Sequence, residues 1–509
     1  MVHHCLLVAS IFAATVIEGE VPAEGAFFKV PFEVAPGAVE IEVRHDDLSN
    51  DNILDWGLLQ PDGGFRGWGG GNAEPAVVGL TAASRSYLSG PLPSGTWNVL
   101  VGKALIAKKP GRYRLEVDVR STATLSPQAE RTPYVPAAPL ESTARWYAGD
   151  LHVHSLESGD ARPTLEAIAQ EAERRGLDFI ALSDHNTVSH LDFMAASQKA
   201  HPRMLWVPSV EFTTYGGHAN AFGATRPVPF WLGMDGVTLD TALDDFAAQG
   251  AVVTINHPTL DLGSFCIGCA WTHPLRSASY GAIEVGVGGW NETGSLFDEA
   301  ALVFWEVLAS KGMHLAAVGG SDDHKAGLGE NQTQSSLGSP TTLIFAPELS
   351  VAALTKALKE GRTVVKLRGP ADPMLVLEAS GLDRRGDTVV AESTQVKATV
   401  TGGAGHTLVW VENGVQLAPV PITTDDFEAT RTLTAPEGRS ARLRAEVRET
   451  GVPRTVSSHV WVSKAWPPLP PVETPVQLVP SCVGCTSSSG LAVGAMALLA
   501  FRPRRRTAR

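Results

Sequence analysis

The sequence predicts an α/β domain over residues 145–370, flanked by two β-sandwich modules at residues 17–120 and 371–464. Three observations carry that reading. Apolar and polar residues alternate strictly in both flanks, the mark of half-buried antiparallel strands. In the middle, short apolar runs alternate with helical periodicity, the mark of a buried parallel sheet, open or closed as a barrel. Histidine also crowds into the middle: ten of the chain's 15 fall between His152 and His324.

In the first flank, Val39, Ile41 and Val43 alternate with Glu40, Glu42 and Arg44, and Leu115, Val117 and Val119 with Arg114, Glu116 and Asp118. The Gly-rich stretch Gly67 to Gly71 lacks the G-K-[ST] ending of a phosphate loop and reads as a turn. Residues 121–144 form a linker. In the last flank, Ala441, Leu443, Ala445 and Val447 alternate with Arg442, Arg444, Glu446 and Arg448, and Asn413-Gly414 between two strand-like runs signals a hairpin. Neither flank holds a catalytic pattern.

The 509 residues include 41 basic and 54 acidic side chains, a net charge of −13. An acidic balance argues against nucleic acid as a partner, since the phosphate backbone demands a basic surface. Charged residues at 19% and hydrophobic ones at 44% describe a globular chain rather than a disordered one.

Within the middle part, Leu165, Ile168, Ala169 and Ala172 share one helical face that stops at Gly176. The apolar runs end in chemistry. His152 and His154 are two apart in Asp150-Leu-His-Val-His-Ser155, so both imidazoles face one side of a strand. Asp322 and His324 repeat that spacing, Asp184-His185 closes the run Phe179 to Ser183, and Glu211, His218 and His257 stand at further strand ends. A protonated cluster would repel itself. Neutral imidazoles mixed with carboxylates are what divalent metals bind, and this donor set suits Zn, Mn or Fe.

These motifs resemble the polymerase-and-histidinol-phosphatase (PHP) superfamily, in particular its CehA/McbA-type metallohydrolases. They are G-D-L-H-V-H-S, S-D-H-N at Ser183 to Asn186, V-E-F-T-T at Val210 to Thr214 with G-H-A-N after it, I-N-H-P at Ile255 to Pro258, and G-S-D-D-H ending at His324. The resemblance implies a distorted (β/α)7 barrel holding two or three divalent ions. It implies His152, His154, Asp160, His185, Glu211, His218, His257, Asp322 and His324 as ligands. Glu211, Asp322 and His324 are the expected catalytic residues, with Glu211 bridging two metals. Asp160 departs from the family pattern: Ser-Asp-Gly is usual, and this chain has Ser158-Gly-Asp160.

Such ions lower the pKa of a shared water, polarise the scissile bond and stabilise the leaving oxygen. The expected function is a metal-dependent hydrolase of a small phosphoester, ester or carbamate. The alternative is a surface-anchored binding or adhesion protein that uses the barrel as scaffold. Neither G-x-S-x-G nor H-E-x-x-H is present.

Other residues have two readings each. Cys266 and Cys269 make half a zinc site or clip a loop over the metal site as a disulfide. Asp323 supports the ligands or lies at the surface. His190, His201 and His314 read as structural, and Trp231, Trp271 and Trp290 as pocket walls or core.

At the N-terminus, residues 1–16, with apolar Leu6 to Val16, are of signal-peptide length without a preceding Lys or Arg; a misplaced start or a buried first strand would also account for them. At the other end, a Pro-rich linker (465–480) precedes Ser481-Cys-Val-Gly-Cys485, an apolar segment from Leu491 to Phe501, and four arginines by Arg506. Residues 481–509 resemble myxobacterial (MYXO-CTERM) sorting tails. That resemblance implies export, handling by envelope sorting machinery, and cleavage near the cysteines.

Overall fold

The computed structural model describes residues 14–275, 279–288, 294–327, 335–381 and 387–465. The sorting tail, Trp290 and the first 13 residues lie outside the described residues. Thr15 and Val16, the end of the apolar N-terminal stretch, lie in strand Thr15–Glu20 and pair with Val117 and Glu116.

The N-terminal module is two four-stranded antiparallel sheets. One orders Thr15–Glu20, Arg112–Arg120, Glu40–Asp46 and Ala76–Gly79; the other orders Phe27–Val34, Gly95–Ile106, Asn52–Leu59 and Phe65–Gly70. Ile41, Val43, Leu115 and Val117 of the first meet Val30, Phe32, Leu58 and Trp97 of the second in one core. The Gly-rich stretch departs from the expected turn: Gly67 to Gly70 run within a strand. The reason is close packing, since a Cβ at Gly67 would lie 2.5 Å from Ser86 O.

In the middle part, Arg145–Val153, Phe179–Leu182 and Leu205–Pro208 are parallel neighbours. A second sheet orders Glu211–Thr214, Gly217–Phe222, Val252–Ile255, Ala282–Val287 and Ala316–Gly320. Its first three strands run antiparallel and its last pairs parallel, so the domain is mixed rather than the parallel sheet expected. The two sheets are not one continuous barrel ladder. They meet through single-residue bridges, Val153–Asp323 and His185–Glu211. The chain turns left-handed beside both bridges, at Asn186 (φ 50°) and Asp322 (φ 54°), and again after strand Val252–Ile255, at His257 (φ 25°). Alternate residues of both sheets, including Leu151, Phe179, Val207, Phe222 and Val318, converge in one cluster closed by Leu354 and Leu358 of helix Val351–Lys359. Helix Leu165–Arg174, capped by Thr164, buries Leu165, Ile168, Ala169 and Ala172 on the sheet, and Gly176 (φ 72°) follows it.

The C-terminal strands are hydrogen-bonded to the central domain. Thr363–Lys366 pairs with Val452–Ser457, so the sheet that begins at Leu205–Pro208 continues into Ala441–Glu449 and Thr407–Glu412 as twelve strands. A three-stranded sheet (Met374–Ala379, Ser393–Thr401, Asp426–Thr434) covers one face of this extension. The Asn413-Gly414 turn has both residues at positive φ, as a two-residue hairpin requires.

The other face carries the arginines that alternation assigned to solvent, and it is buried. Helix Gly294–Ser310 crosses it, and Glu306 pairs with Arg442 (2.9 Å), Arg444 (2.7 Å) and His459 (3.1 Å). Glu299 pairs with Arg448 at 2.9 Å, and Glu446 bridges Arg444 and Arg448. Burial would raise the Glu306 carboxyl, but His459 and Arg444 hold it well below the ordinary carboxylate range. Its contribution to stability is therefore complete above the ordinary pKa of 4.5 and is lost as pH falls below that value. Glu306→Ala leaves the buried Arg442 guanidinium without its carboxylate, while Arg444 keeps Glu446, and should cost about 3–5 kcal/mol in denaturant unfolding. The mutant's deficit relative to wild type should shrink on acidification.

Candidate metal centre

Nine side chains predicted as ligands reach one place, where the two sheets meet. The centre is Glu211, fully buried at the start of its strand. Its Oε1 stands 3.2 Å from His152 Nε2, 3.3 Å from His218 Nδ1 and 3.4 Å from His257 Nε2. Its Oε2 stands 2.6 Å from His185 Nδ1 and 3.6 Å from His154 Nε2. Asp322 Oδ1 lies 3.3 Å from His152 Nε2 and 3.0 Å from His154 Nε2. Asp160 Oδ2 lies 3.3 Å from both His185 Nε2 and His324 Nε2, so the shifted carboxylate joins the solvent side of the cluster.

The electrostatics divide the imidazoles. Burial drives His154 down to about 4, helped by the neighbouring rings of His324 and His185. Burial also lowers His218. At His152 burial is outweighed by Asp322, Glu211 and Glu284, and at His185 by Asp160 and Glu211, so both are raised well above the ordinary value. His324 is raised to about 9, with Asp160 overcoming burial. Burial would raise Glu211, yet His152, His185 and His218 hold it well below its usual range.

This donor set fits divalent cations. His152 Nε2, His154 Nε2, His218 Nε2 and Asp322 Oδ1 are buried without a well-formed hydrogen bond. Such orphans are costly unless something binds them. Three histidines (His154, His185, His324), the trio His152, Glu211 and His257, and the trio His152, His154 and Asp322 each place their donor atoms within 4.8 Å of one another.

A further set of residues aims the ligands. Glu284, buried on Ala282–Val287, has one oxygen 2.8 Å from His152 Nδ1 while the other accepts the His257 backbone N–H at 2.6 Å. Asn256 donates to Glu211 Oε1 at 2.9 Å. Asp150 accepts from the backbone N–H groups of His152, Ser321 and Gly338, tying three loops together, and burial raises it to about 6. Asp184 accepts from Ser155 N and Oγ. Sequence reasoning missed Glu284, although a glutamate inside the apolar run Ala282 to Val287 was a usable signal.

The N-terminal module grips the ligand loop. Ser86 N–H donates to Glu157 Oε2 at 3.0 Å, Ser86 Oγ donates to Glu157 O at 2.7 Å, and Arg85 donates to Ala161 O at 3.2 Å. Gly159 sits at φ 91°, and a Cβ there would lie 2.9 Å from Gly69 O. Glycine is needed at 159, and the carboxylate follows at 160.

The residues with two readings resolve as follows. Cys266 and Cys269 form a disulfide. Asp323 is buried, and its Oδ1 accepts from the backbone of Lys325 (2.8 Å) and Ala326 (2.5 Å). His190 lies 3.1 Å from Asp184, His201 pairs with Glu166 and Glu173, and His314 stacks on Trp461 beside Asp387. Trp231 packs on Phe65 and Phe230 in the core, while Trp271 lies against Tyr280 and His273.

Comparison with known proteins addresses the same stretch. Residues 150–220 match the PHP domain model. The matched residues include His152, His154, Asp160, His185, Glu211 and His218. A curated protein of Syntrophotalea carbinolica named a probable phosphatase is 61% identical over 36 residues, which are 7% of this chain and 15% of that protein. A two-domain protein of Bacteroides vulgatus containing a predicted PHP-like metal-dependent phosphoesterase is 17% identical and aligns over 64% of this chain and all of its own, with a TM-score of 0.37. An amidohydrolase of Chromobacterium violaceum is 19% identical over 35% of this chain and 88% of its own, with a TM-score of 0.25.

Removing the residue that aims two ligands should weaken the metal centre. Glu284→Ala is expected to lower divalent-metal affinity about 10–100-fold, as measured by chelator competition, with the far-ultraviolet circular dichroism unchanged. Less than one transition metal per wild-type chain, after purification without chelator, would contradict the metal assignment.

Proposed function

We propose that the chain is a PHP-type metal-dependent hydrolase, of the CehA/McbA kind, acting on a small phosphoester. An ester or carbamate is the second substrate class. The observation that carries this reading is the buried Glu211 with imidazoles on both carboxylate oxygens, beside donor atoms that lack partners. The PHP match over the ligand-bearing strands supports it. An adhesion role finds no support in a centre this fully furnished with ligands.

The residues that would hold two or three divalent ions are His152, His154, Asp160, His185, Glu211, His218, His257, Asp322 and His324. When bound, the ions supply Lewis acidity that polarises an ester and acidifies water. The protein's own part is orientation. Glu284 and Ser158 set the rings of His152 and His154, with Nδ1 of each held at 2.8 and 3.1 Å. Asp322 backbone O lies 2.8 Å from His324 Nδ1, which leaves Nε2 facing Asp160. His324 and Asp160 are more exposed than the buried His152, His154 and Glu211, so they form the solvent-facing side of the centre, from which a substrate would approach.

His152→Ala or Asp322→Ala should abolish hydrolysis across a panel of phosphomonoester, phosphodiester and carboxyl-ester substrates, while the flanking β regions stay folded. Near wild-type turnover in either variant would refute the mechanism.

We further propose that the enzyme works at the cell envelope, with the chain cleaved near Cys482 or Cys485. The segment from Leu491 to Phe501 covers, at ~1.5 Å per residue, about half of a ~30 Å hydrocarbon core, which suits a transient signal better than a permanent span. Mass spectrometry of the native protein should find a C-terminus near those cysteines. An intact Arg509 in a cytosolic fraction would contradict it.

A further inference from the structure

One corner of the centre holds a donor that belongs to none of the recognised motifs. The ring nitrogens of His218 and His257 and the Sγ of Cys269 lie within 4.8 Å of one another, and all three residues are buried. The two histidines stand 3.3 and 3.4 Å from Glu211 Oε1, so this corner already has two imidazoles and a carboxylate. Cys269 is locked in place. Its carbonyl oxygen lies 3.0 Å from His257 Nδ1, which makes that nitrogen the N–H donor and leaves Nε2 as the free lone pair facing Glu211. Gly268 (φ 81°) presses on the Thr214–Gly217 hairpin, since a Cβ there would lie 2.3 Å from Thr214 O. Cys266, three residues back, is only half-buried, and Phe265 beside it is 67% exposed. Cys269 is therefore the inner member of the pair, and Cys266 is the member nearer solvent.

The two oxidation states of this pair offer the corner different chemistry. A thiolate is a strong ligand for zinc-like ions, whereas a disulfide sulfur carries no charge and is a poor one. Two histidines and a carboxylate leave a tetrahedral ion one open position, the pattern of a catalytic site; a fourth protein ligand closes it, the pattern of a structural site.

We propose that Cys266 and Cys269 are a redox-governed ligand pair. As a disulfide they leave the corner of His218, His257 and Glu211 open, and as a dithiol they supply Cys269 Sγ and close it. The inference rests on the metallohydrolase reading above. Reduction proceeds by exchange with two small-molecule thiols. Their sulfurs join as an external disulfide, and two electrons and two protons pass to Cys266 and Cys269. Cation binding then displaces the Cys269 proton to solvent. An external disulfide reverses the exchange. The oxidised chain is the active form and the reduced chain is silent, which suits an enzyme made in a reducing compartment and used in an oxidising one.

The test uses the full chain loaded with Co²⁺ and a water-soluble phosphine as reductant, because a phosphine brings no thiolate of its own. Wild type should gain the near-ultraviolet thiolate-to-cobalt absorption on reduction and lose most of its turnover at the same time. Cys266→Ser should show the band without reductant, and Cys269→Ser in neither state. Absence of the band from reduced wild type, or its persistence in Cys269→Ser, would overturn the inference. A redox-dependent band in a chain that hydrolyses nothing on the substrate panel would support the ligand pair and overturn the hydrolase reading alone. Turnover that reduction leaves unchanged, with no band, would do the reverse.

Discussion

Glu211 places a carboxylate where water does not reach, and much of the central domain is arranged to make that tolerable. An unpaired buried carboxylate costs several kcal/mol, so the charge persists only with partners on both oxygens. Five imidazoles within 3.6 Å and the Asn256 amide meet that demand. They come from four separate stretches of chain, at residues 152–154, 185, 218 and 256–257. Moving any one of these strands would uncover the charge, so the carboxylate couples their positions to one another.

The same constraint explains why the sheets part at the centre. A ladder continuing past Asn186, His257 or Asp322 would point alternate side chains away from Glu211. Turning the backbone left-handed at these three residues ends the pairing and gathers the side chains. Such conformations are unfavourable outside glycine and persist where surrounding contacts hold them. Those contacts are visible here: Asp150 gathers three backbone N–H groups, Glu284 takes the N–H of His257, and Asn186 itself donates to Thr213 O and accepts from Thr213 N.

The flanks serve this centre from outside it. Ser86, Arg85 and Gly69 hold the loop that carries Asp160, and the close backbone approach at Gly159 leaves no room for a side chain there. On the other side, the C-terminal strands extend the central sheet. Their charged face is locked to helix Gly294–Ser310 through Glu306 and Glu299.

What the sequence determined by itself was local. Helical spacing named the buried face of Leu165–Arg174, and i, i+2 spacing put His152 and His154 on one side of a strand, because both depend only on backbone periods. The motif residues could be recognised as candidate ligands because their donor chemistry is written in side-chain type. What only the tertiary structure decided was non-local. Alternation in Ala441–Glu449 assigned Arg442, Arg444 and Arg448 to solvent, since period alone cannot reveal that a helix from 140 residues earlier covers that face with carboxylates. Two sheets joined only by single-residue bridges, the support given by Glu284, and the meeting of Cys269 with His218 and His257 likewise arise from long-range packing. Whether a charged residue is solvated or buried depends on what lies across from it, and that partner is not encoded at any fixed spacing along the chain.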